Sequence, residues 1–217
     1  TPGQNKKRYI AGALAVGGLS ALMLLDPSVQ RWAQDNRETG TDNVASVVRH
    51  FGQPEVYVTV TLGLAVVGLA AGDSRLVGSA KRVGASLLLA GATTGAAKFA
   101  LGRARPDETL DATSFSPFSG QDAMPSGHTA MAFALATSLG DEIHRTWASI
   151  GLYGMATAVG WSRINDNRHW FTDVVSGALV GITSAKLVSG RWRIFNLRPP
   201  AILATPGHMA IGWQGSF

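Results

Sequence analysis

Val83-Gly-Ala-Ser-Leu-Leu-Leu-Ala-Gly-Ala-Thr-Thr-Gly-Ala-Ala97 is apolar on every side. It is rich in Ala and Leu, which favour helix, and it is longer than an ordinary strand. A helix that is apolar all round belongs in a protein core or in a bilayer. Residues 9–25, 56–72, 129–140, 147–162 and 174–188 read the same way. The expectation is an all-α protein built on a six-helix core bundle. Residues 26–38 and 42–51 read as extra, shorter and more polar helices. The second carries Val44, Val47, Val48 and Phe51 on one stripe, which is expected to pack against the bundle.

Two segments break the helical pattern. Residues 102–125 contain Arg-Pro, Ser-Pro and Met-Pro steps among several acids, the signature of a long ordered loop. The tail from Arg191 holds Pro199, Pro200 and Pro206 with Trp192, Phe195, Trp213 and Phe217. It is expected to be non-helical, with residues 201–204 or 208–213 as short strands. Residues 1–190 are therefore expected to form a helical domain, and 191–217 an extended tail. Such an aromatic tail docks on its own domain or on a neighbouring copy as a homo-oligomer contact.

The 217 residues suit one domain, or two small ones, with a substantial core. The absence of cysteine excludes disulfides, zinc–thiolate sites and a cysteine nucleophile. At 15% charged and 46% hydrophobic residues, disorder is excluded as well. The net charge of +5 points to an anionic membrane or an anionic substrate. Nucleic acid fits less well, because the basic residues form no dense block interleaved with aromatics. The chain begins at Thr1 and not at Met, so the expectation is that residues before it have been removed or that the chain is part of a longer gene product.

Three clusters at helix ends carry chemistry. Lys98 and Arg105 are seven apart, two helical turns, so both are expected on one face of the helix, which Pro106 then stops. Pro125-Ser126-Gly127-His128 opens the next helix. Ser126 there reads as an N-cap, Gly127 lets a ligand approach the backbone, and free N–H groups make an anion site. Ser162-Arg163 is followed after five residues by His169 and after three more by Asp173. His169 and Asp173 are i,i+4, so on a helix they share a face. A carboxylate so placed holds one imidazole nitrogen as N–H and leaves the other free as nucleophile or base.

Each cluster alone has a plain structural explanation: a snorkelling lysine, a capped helix, a surface ion pair. Connectivity brings them together. If consecutive helices run antiparallel, Lys98, Arg105, His128, Arg163, His169 and Asp173 all reach one end of the bundle. Three cations, a helix N-terminus and two histidines there suit a tetrahedral oxyanion with a nucleophile beside it. No metal is required for that chemistry. His50, His144 and His208 lack partners at ligand spacing and read as surface or satisfied histidines. Asp107, Glu108, Asp111 and Asp122 border the site, where they shape access or bind a cation, or are simply solvated.

Lys98-x6-Arg105-Pro106, Pro125-Ser126-Gly127-His128 and Ser162-Arg163-x5-His169-x3-Asp173 together resemble the three-part signature of the type 2 phosphatidic acid phosphatase superfamily. That superfamily also holds bacterial class A acid phosphatases and vanadium haloperoxidases. The resemblance implies a phosphatase that needs no metal or other cofactor and is inhibited by vanadate as a phosphate mimic. It implies that His169 attacks phosphorus, that Asp173 orients its ring, and that His128 serves as acid and then base. Lys98, Arg105 and Arg163, with the Ser126 hydroxyl and the Gly127 amide, are then the phosphate-binding set. The implied substrates are lipid phosphates, isoprenyl diphosphates or small phosphomonoesters. A vanadate-dependent haloperoxidase is an alternative, as is an assembly protein that keeps the fold and oligomerises through its tail.

Location stays open between two readings. Each apolar run is about 12 to 17 residues, about 18–25 Å of helix, against about 30 Å for a bilayer core. The short runs favour a periplasmic or secreted bundle, and a mean hydropathy of +0.12 stands between the two readings. Charge argues for six membrane spans: Lys6, Lys7, Arg8, Arg75, Lys81, Arg82, Arg145, Lys186, Arg191, Arg193 and Arg198 are expected at the end opposite the site. That is the distribution of a membrane protein whose active site faces outward. Both readings place the site outside the cytoplasm.

Overall fold

A computed structural model describes residues 17–192, together with the backbone of 201–205 and 208–212. Seven helices follow residues 17–23, which are also helical: α1 (Asp26–Asp35), α2 (Thr39–Val48), α3 (Pro54–Ala70), α4 (Ser74–Leu101), α5 (Gly127–Ile143), α6 (Thr146–Asn165) and α7 (Phe171–Val188). A 3-10 turn, Arg49–Gly52, joins α2 to α3. The tail carries an antiparallel hairpin, β1 (Ala201–Thr205) and β2 (His208–Gly212). The tail aromatics Phe195, Trp213 and Phe217, and residues 9–16 of the first apolar run, lie outside the described residues.

Helix α5 is the centre of the bundle. On one side Ala134 and Leu135 meet Val83, Leu87 and Ala90 of α4; on the other, Ala132 and Ala136 meet Ala156 and Val159 of α6. Small residues make this possible, because they let helix backbones approach closely. Helix α7 presents Gly177 and Gly181 to α5, and a Cβ at Gly177 would sit 2.5 Å from the Ser126 carbonyl. At Gly181 a Cβ would run into the Ala130 carbonyl. Gly181→Val is therefore expected to destabilise the protein by about 1–3 kcal/mol through overpacking, read as a lower thermal midpoint in detergent.

Consecutive helices from α4 to α7 alternate in direction. Ion pairs at one end of the bundle report this: Arg82 near the start of α4 holds Glu142 at the end of α5 at 2.5 Å. Lys186, at the end of α7, holds Asp141 of α5 at 2.8 Å. Both ends of the 102–126 loop accordingly lie at the other end, with the α6–α7 turn.

Helix α4 is longer than its apolar run, because Asp73 caps it by accepting from the Arg75 and Leu76 amides. It also ends earlier than Pro106 suggests. Gly102 adopts a left-handed conformation with φ of +56°, where a Cβ would run into the Ser116 carbonyl. That geometry closes the helix at Leu101, as left-handed glycines do. Arg105 thus stands in the loop and not on the helical face that carries Lys98.

The α2 stripe also differs from expectation. Val44 and Val47 are exposed, and α2 instead buries Ala45. It approaches α6 through its small and polar side, where Asn165 donates to Asp42 at 2.9 Å.

Helix α3 buries only Gly68 and leaves Val58, Leu62, Val66, Val67 and Leu69 exposed. Among the described residues, α4 and α7 are long and apolar enough to cross a membrane. Residues 39–52 and α3, bent by 42°, make a third candidate if taken as one span.

Candidate active site

The loop from 102 to 126 folds on its own hydrogen bonds before it meets the bundle. Ser116 donates to the Gly102 carbonyl at 2.8 Å, Ala104 to Ser114 at 3.0 Å, and Ala123 to Arg103 at 2.9 Å. Ala112 and Ala123 of this loop bury Trp170, whose indole N–H donates to the Ala104 carbonyl at 3.0 Å. The Ser126 amide donates to the Asp173 carbonyl at 2.9 Å, which ties the start of α5 to the first turn of α7. The N-terminus of α5, the ends of α4 and α6, and the turn before α7 therefore face one cavity.

That cavity has a volume of about 480 Å³ and is lined by Lys98, Arg105, Gly127, His128, Arg163 and His169, among others. Six of the eight sequence-predicted residues thus meet around one space. The other two lie behind it, fully buried. Ser126 occupies the N-cap position of α5, but its hydroxyl caps no amide; it accepts from the Thr129 hydroxyl at 2.9 Å and keeps its own proton free to donate. Asp173 sits in the first turn of α7. His169 does not share that helix, which begins at Phe171, yet its Nδ1 still lies 3.6 Å from Asp173 Oδ2.

The cations are unequally occupied. Arg163 holds Asp166 at 2.9 Å through one terminal nitrogen, while its buried Nε has no hydrogen-bond partner. Lys98 and Arg105 converge on Asp122. Arg105 reaches that carboxylate at 2.7 Å, and Lys98 donates to the Asp122 carbonyl while standing 3.5 Å from its carboxylate. Burial pushes the Asp122 carboxyl up, but Lys98 and Arg105 outweigh it and hold the group below the usual carboxylate range. Asp122 therefore rests, as an anion, where an anionic ligand would meet the same two cations.

Burial is the largest influence on the His169 ring and holds it below the ordinary histidine range, against the opposing pull of Asp173. The ring is neutral at neutral pH and keeps a nitrogen lone pair. His128 shares the cavity from the first turn of α5. Its backbone is braced by the 3-10 turn, where a Cβ at Gly52 would lie 2.7 Å from the His128 carbonyl. One ring with a free lone pair, a second beside it, and cations with donors to spare suit the transfer of a group that carries negative oxygens.

Sequence reasoning missed Arg103 and Asp26. Both are fully buried. Arg103 donates to Asp173 Oδ1 at 2.6 Å, to Thr172 Oγ1 at 2.8 Å and to Asp26 Oδ2 at 2.6 Å. Asp173 Oδ2 in turn accepts from the Trp170 amide at 2.8 Å. The carboxylate beside His169 is thus fixed at both oxygens. Arg103 stood within the first basic cluster, between Lys98 and Arg105, and that placement was its only signal.

Among the described residues, several other acids and histidines have local roles, and the His208 side chain lies outside them. Asp107 pairs with Arg168 at 2.6 Å, and Asp111 accepts from Thr113 in a turn. His50 and His144 bond the Ser46 and Glu142 carbonyls. Among the described residues, no group of three or more His, Asp or Glu side chains converges as metal ligands would.

The family model of the PAP2 superfamily matches residues 79–196, more than half of the chain. The chain belongs to the PAP2 superfamily. A PAP2 relative, the lipid A 1-phosphatase of Porphyromonas gingivalis, is 41% identical over 108 residues, a match covering 49% of this chain and 22% of that protein. The chain therefore spans less than a quarter of that relative's length. The crystal structure of Aquifex aeolicus LpxE superposes with a TM-score of 0.64 and 22% identity, covering 76% of this chain and 94% of the other. A transmembrane PAP2-type phosphatidylglycerolphosphate phosphatase from Bacillus subtilis gives 0.59 and 22%, covering 79% and 86%. At that identity the two structures establish a shared fold.

Proposed function

We propose that this chain is a membrane-associated phosphatase that removes phosphate from a lipid through a phosphohistidine intermediate. The observation that carries the reading is the convergence of Lys98, Arg105, Arg163, His128 and His169 on one cavity. In the proposed cycle the three cations, the Gly127 amide and the Ser126 hydroxyl hold the phosphoryl oxygens. His169 Nε2 attacks phosphorus, with Nδ1–H directed at Asp173. His128 takes up a proton as the anionic substrate binds; the ester P–O bond then breaks as the N–P bond forms, and the His128 imidazolium gives that proton to the leaving alkoxide. His128 then takes a proton from water, whose oxygen attacks phosphorus. The N–P bond breaks, and inorganic phosphate and free His169 are released.

The lipid part of the reading rests on apolar surface. The loop that carries Asp122 also exposes Leu110 and Phe118, 95% and 67% accessible, and α3 turns a continuous apolar surface outward. A water-soluble substrate needs neither. The similarity to a lipid A 1-phosphatase supports the same substrate class, a phosphate carried by a membrane lipid. The far end of the bundle, with Arg75, Lys81, Arg82, Arg145 and Lys186, would face the cytoplasm and the site the opposite side.

The test is hydrolysis of lipid phosphate in mixed micelles, measured with and without vanadate and with a chelator present. Lipid turnover that vanadate blocks and the chelator spares is the expected outcome. Turnover of soluble monoesters alone would remove the lipid assignment. Asp122→Asn frees Lys98 and Arg105 of a competing carboxylate that is itself half-exposed. It is expected to lower the vanadate concentration for half-inhibition about threefold to fivefold, as inhibition titrations would read.

A further inference from the structure

Helix α1 carries Asp26, Gln30 and Gln34 at i, i+4 and i+8, so the three side chains share one stripe. Asp26 and Gln30 are buried, whereas Trp32 on another face is exposed. All three reach the segment between the end of α6 and the start of α7. Gln34 Nε2 donates to the Ile164 and Asn165 carbonyls at 3.1 and 3.3 Å, in the last turn of α6, where the Ile164 carbonyl also accepts from the Asn167 amide at 3.0 Å. Gln30 Nε2 donates to Asn167 Oδ1, and Asn167 holds a left-handed backbone with φ of 58°. Asp26 accepts from the Thr172 amide at 2.8 Å and from its hydroxyl at 2.5 Å, besides Arg103.

That segment contains His169 and follows directly on Arg163, which stands in the last turn of α6. Its inner side is closed by the Arg168 and His169 amides, which donate to the Arg163 carbonyl at 3.0 and 3.2 Å. Its outer side is held by the α1 stripe at Ile164, Asn165, Asn167 and Thr172. The turn therefore has two walls, and the outer one comes from residues that lie before the matched family segment 79–196.

We infer that α1 is a positioning brace, whose Asp26–Gln30–Gln34 stripe sets the distance and orientation of His169 relative to Arg163. The three are positioning residues; none touches the cavity. This inference rests on the phosphohistidine reading for its kinetic consequence, but its structural consequence stands apart from it. A stripe that merely anchored α1 would affect stability. A brace affects the rate of attack on phosphorus at unchanged substrate binding, because phosphate is held largely by Lys98, Arg105 and Arg163.

Gln34→Glu keeps the size of the side chain and removes its donor, and Asp26→Asn keeps an acceptor for the Thr172 amide while removing the charge. Each is measured in the full chain in detergent for kcat and KM per active site, beside wild type and His169→Ala. The expected result is a kcat lowered about fivefold in Gln34→Glu and at least tenfold in Asp26→Asn, with KM within twofold. Hydrogen exchange gives a readout that needs no activity. Amides of residues 164–172 are expected to exchange at least tenfold faster in Gln34→Glu, with α4 and α5 unchanged. A kcat within twofold of wild type in both variants, whatever their thermal midpoints, would overturn the brace while leaving the phosphatase reading intact. Unchanged exchange over 164–172 would overturn it even if wild type proved inactive. Loss of activity confined to His169→Ala speaks for the phosphatase reading alone.

Discussion

His169→Ala is expected to lower kcat by about four orders of magnitude or more, because in the proposed cycle it removes the atom that bonds phosphorus. Binding should survive, since the three cations, the Gly127 amide and the Ser126 hydroxyl are untouched. Vanadate affinity is thus expected to fall much less than turnover. His128→Ala should behave differently. With a substrate whose leaving group needs no proton, such as p-nitrophenyl phosphate, the first step proceeds and the second stalls. A burst of p-nitrophenol followed by slow turnover is the expected trace, recorded by stopped flow. If the two variants gave the same kinetics, the division of labour between the histidines would be wrong.

Arg103 carries the second large effect. It is fully buried between Asp26 and Asp173, with Phe115 and Trp170 rings at 5.3 and 5.6 Å from its guanidinium carbon. Arg103→Leu leaves two buried carboxylates without their shared partner, a loss expected to cost about 3–5 kcal/mol. Arg103→Lys keeps the charge but not the planar fork that reaches both carboxylates and Thr172. The lysine variant is expected to fold, with a lowered thermal midpoint, and to lose at least about tenfold in kcat as Asp173 loses its fixed orientation. Thermal unfolding and steady-state kinetics on the same preparations separate the two effects.

These two predictions divide along what could be read from the chain. The helical bundle was legible because long Ala- and Leu-rich runs leave no other local structure to adopt. The convergence of Lys98, His128, Arg163 and His169 followed from helix order alone, since antiparallel neighbours return to the same end. Local geometry was less legible. Gly102 ended α4 before Pro106 could, because a left-handed residue closes a helix on its own. His169 fell before α7 because Asp173 caps the Trp170 amide and so starts that helix two residues later than the i,i+4 spacing assumed. Arg103 and Asp26 were invisible as a pair. They are 77 residues apart, and nothing local distinguishes a buried aspartate at the head of a polar helix from a solvated one.

The small-residue content of the sequence also acquires a specific meaning. Gly177 and Gly181 fit α7 against α5 at van der Waals limits, which places the first turn of α7 beside Ser126. The same close packing that fills the core thereby brings Asp173 and His128 to one end.

In the proposed cycle, catalysis passes through a covalent bond between phosphorus and His169. The direct measurement is to quench wild-type enzyme during turnover of a phosphate-labelled substrate and to map the labelled peptide by mass spectrometry. Label is expected on His169, stable in base and lost in acid, accumulating further in His128→Ala and absent from His169→Ala. Undiminished turnover with no covalent label, or label on any other residue, would contradict it.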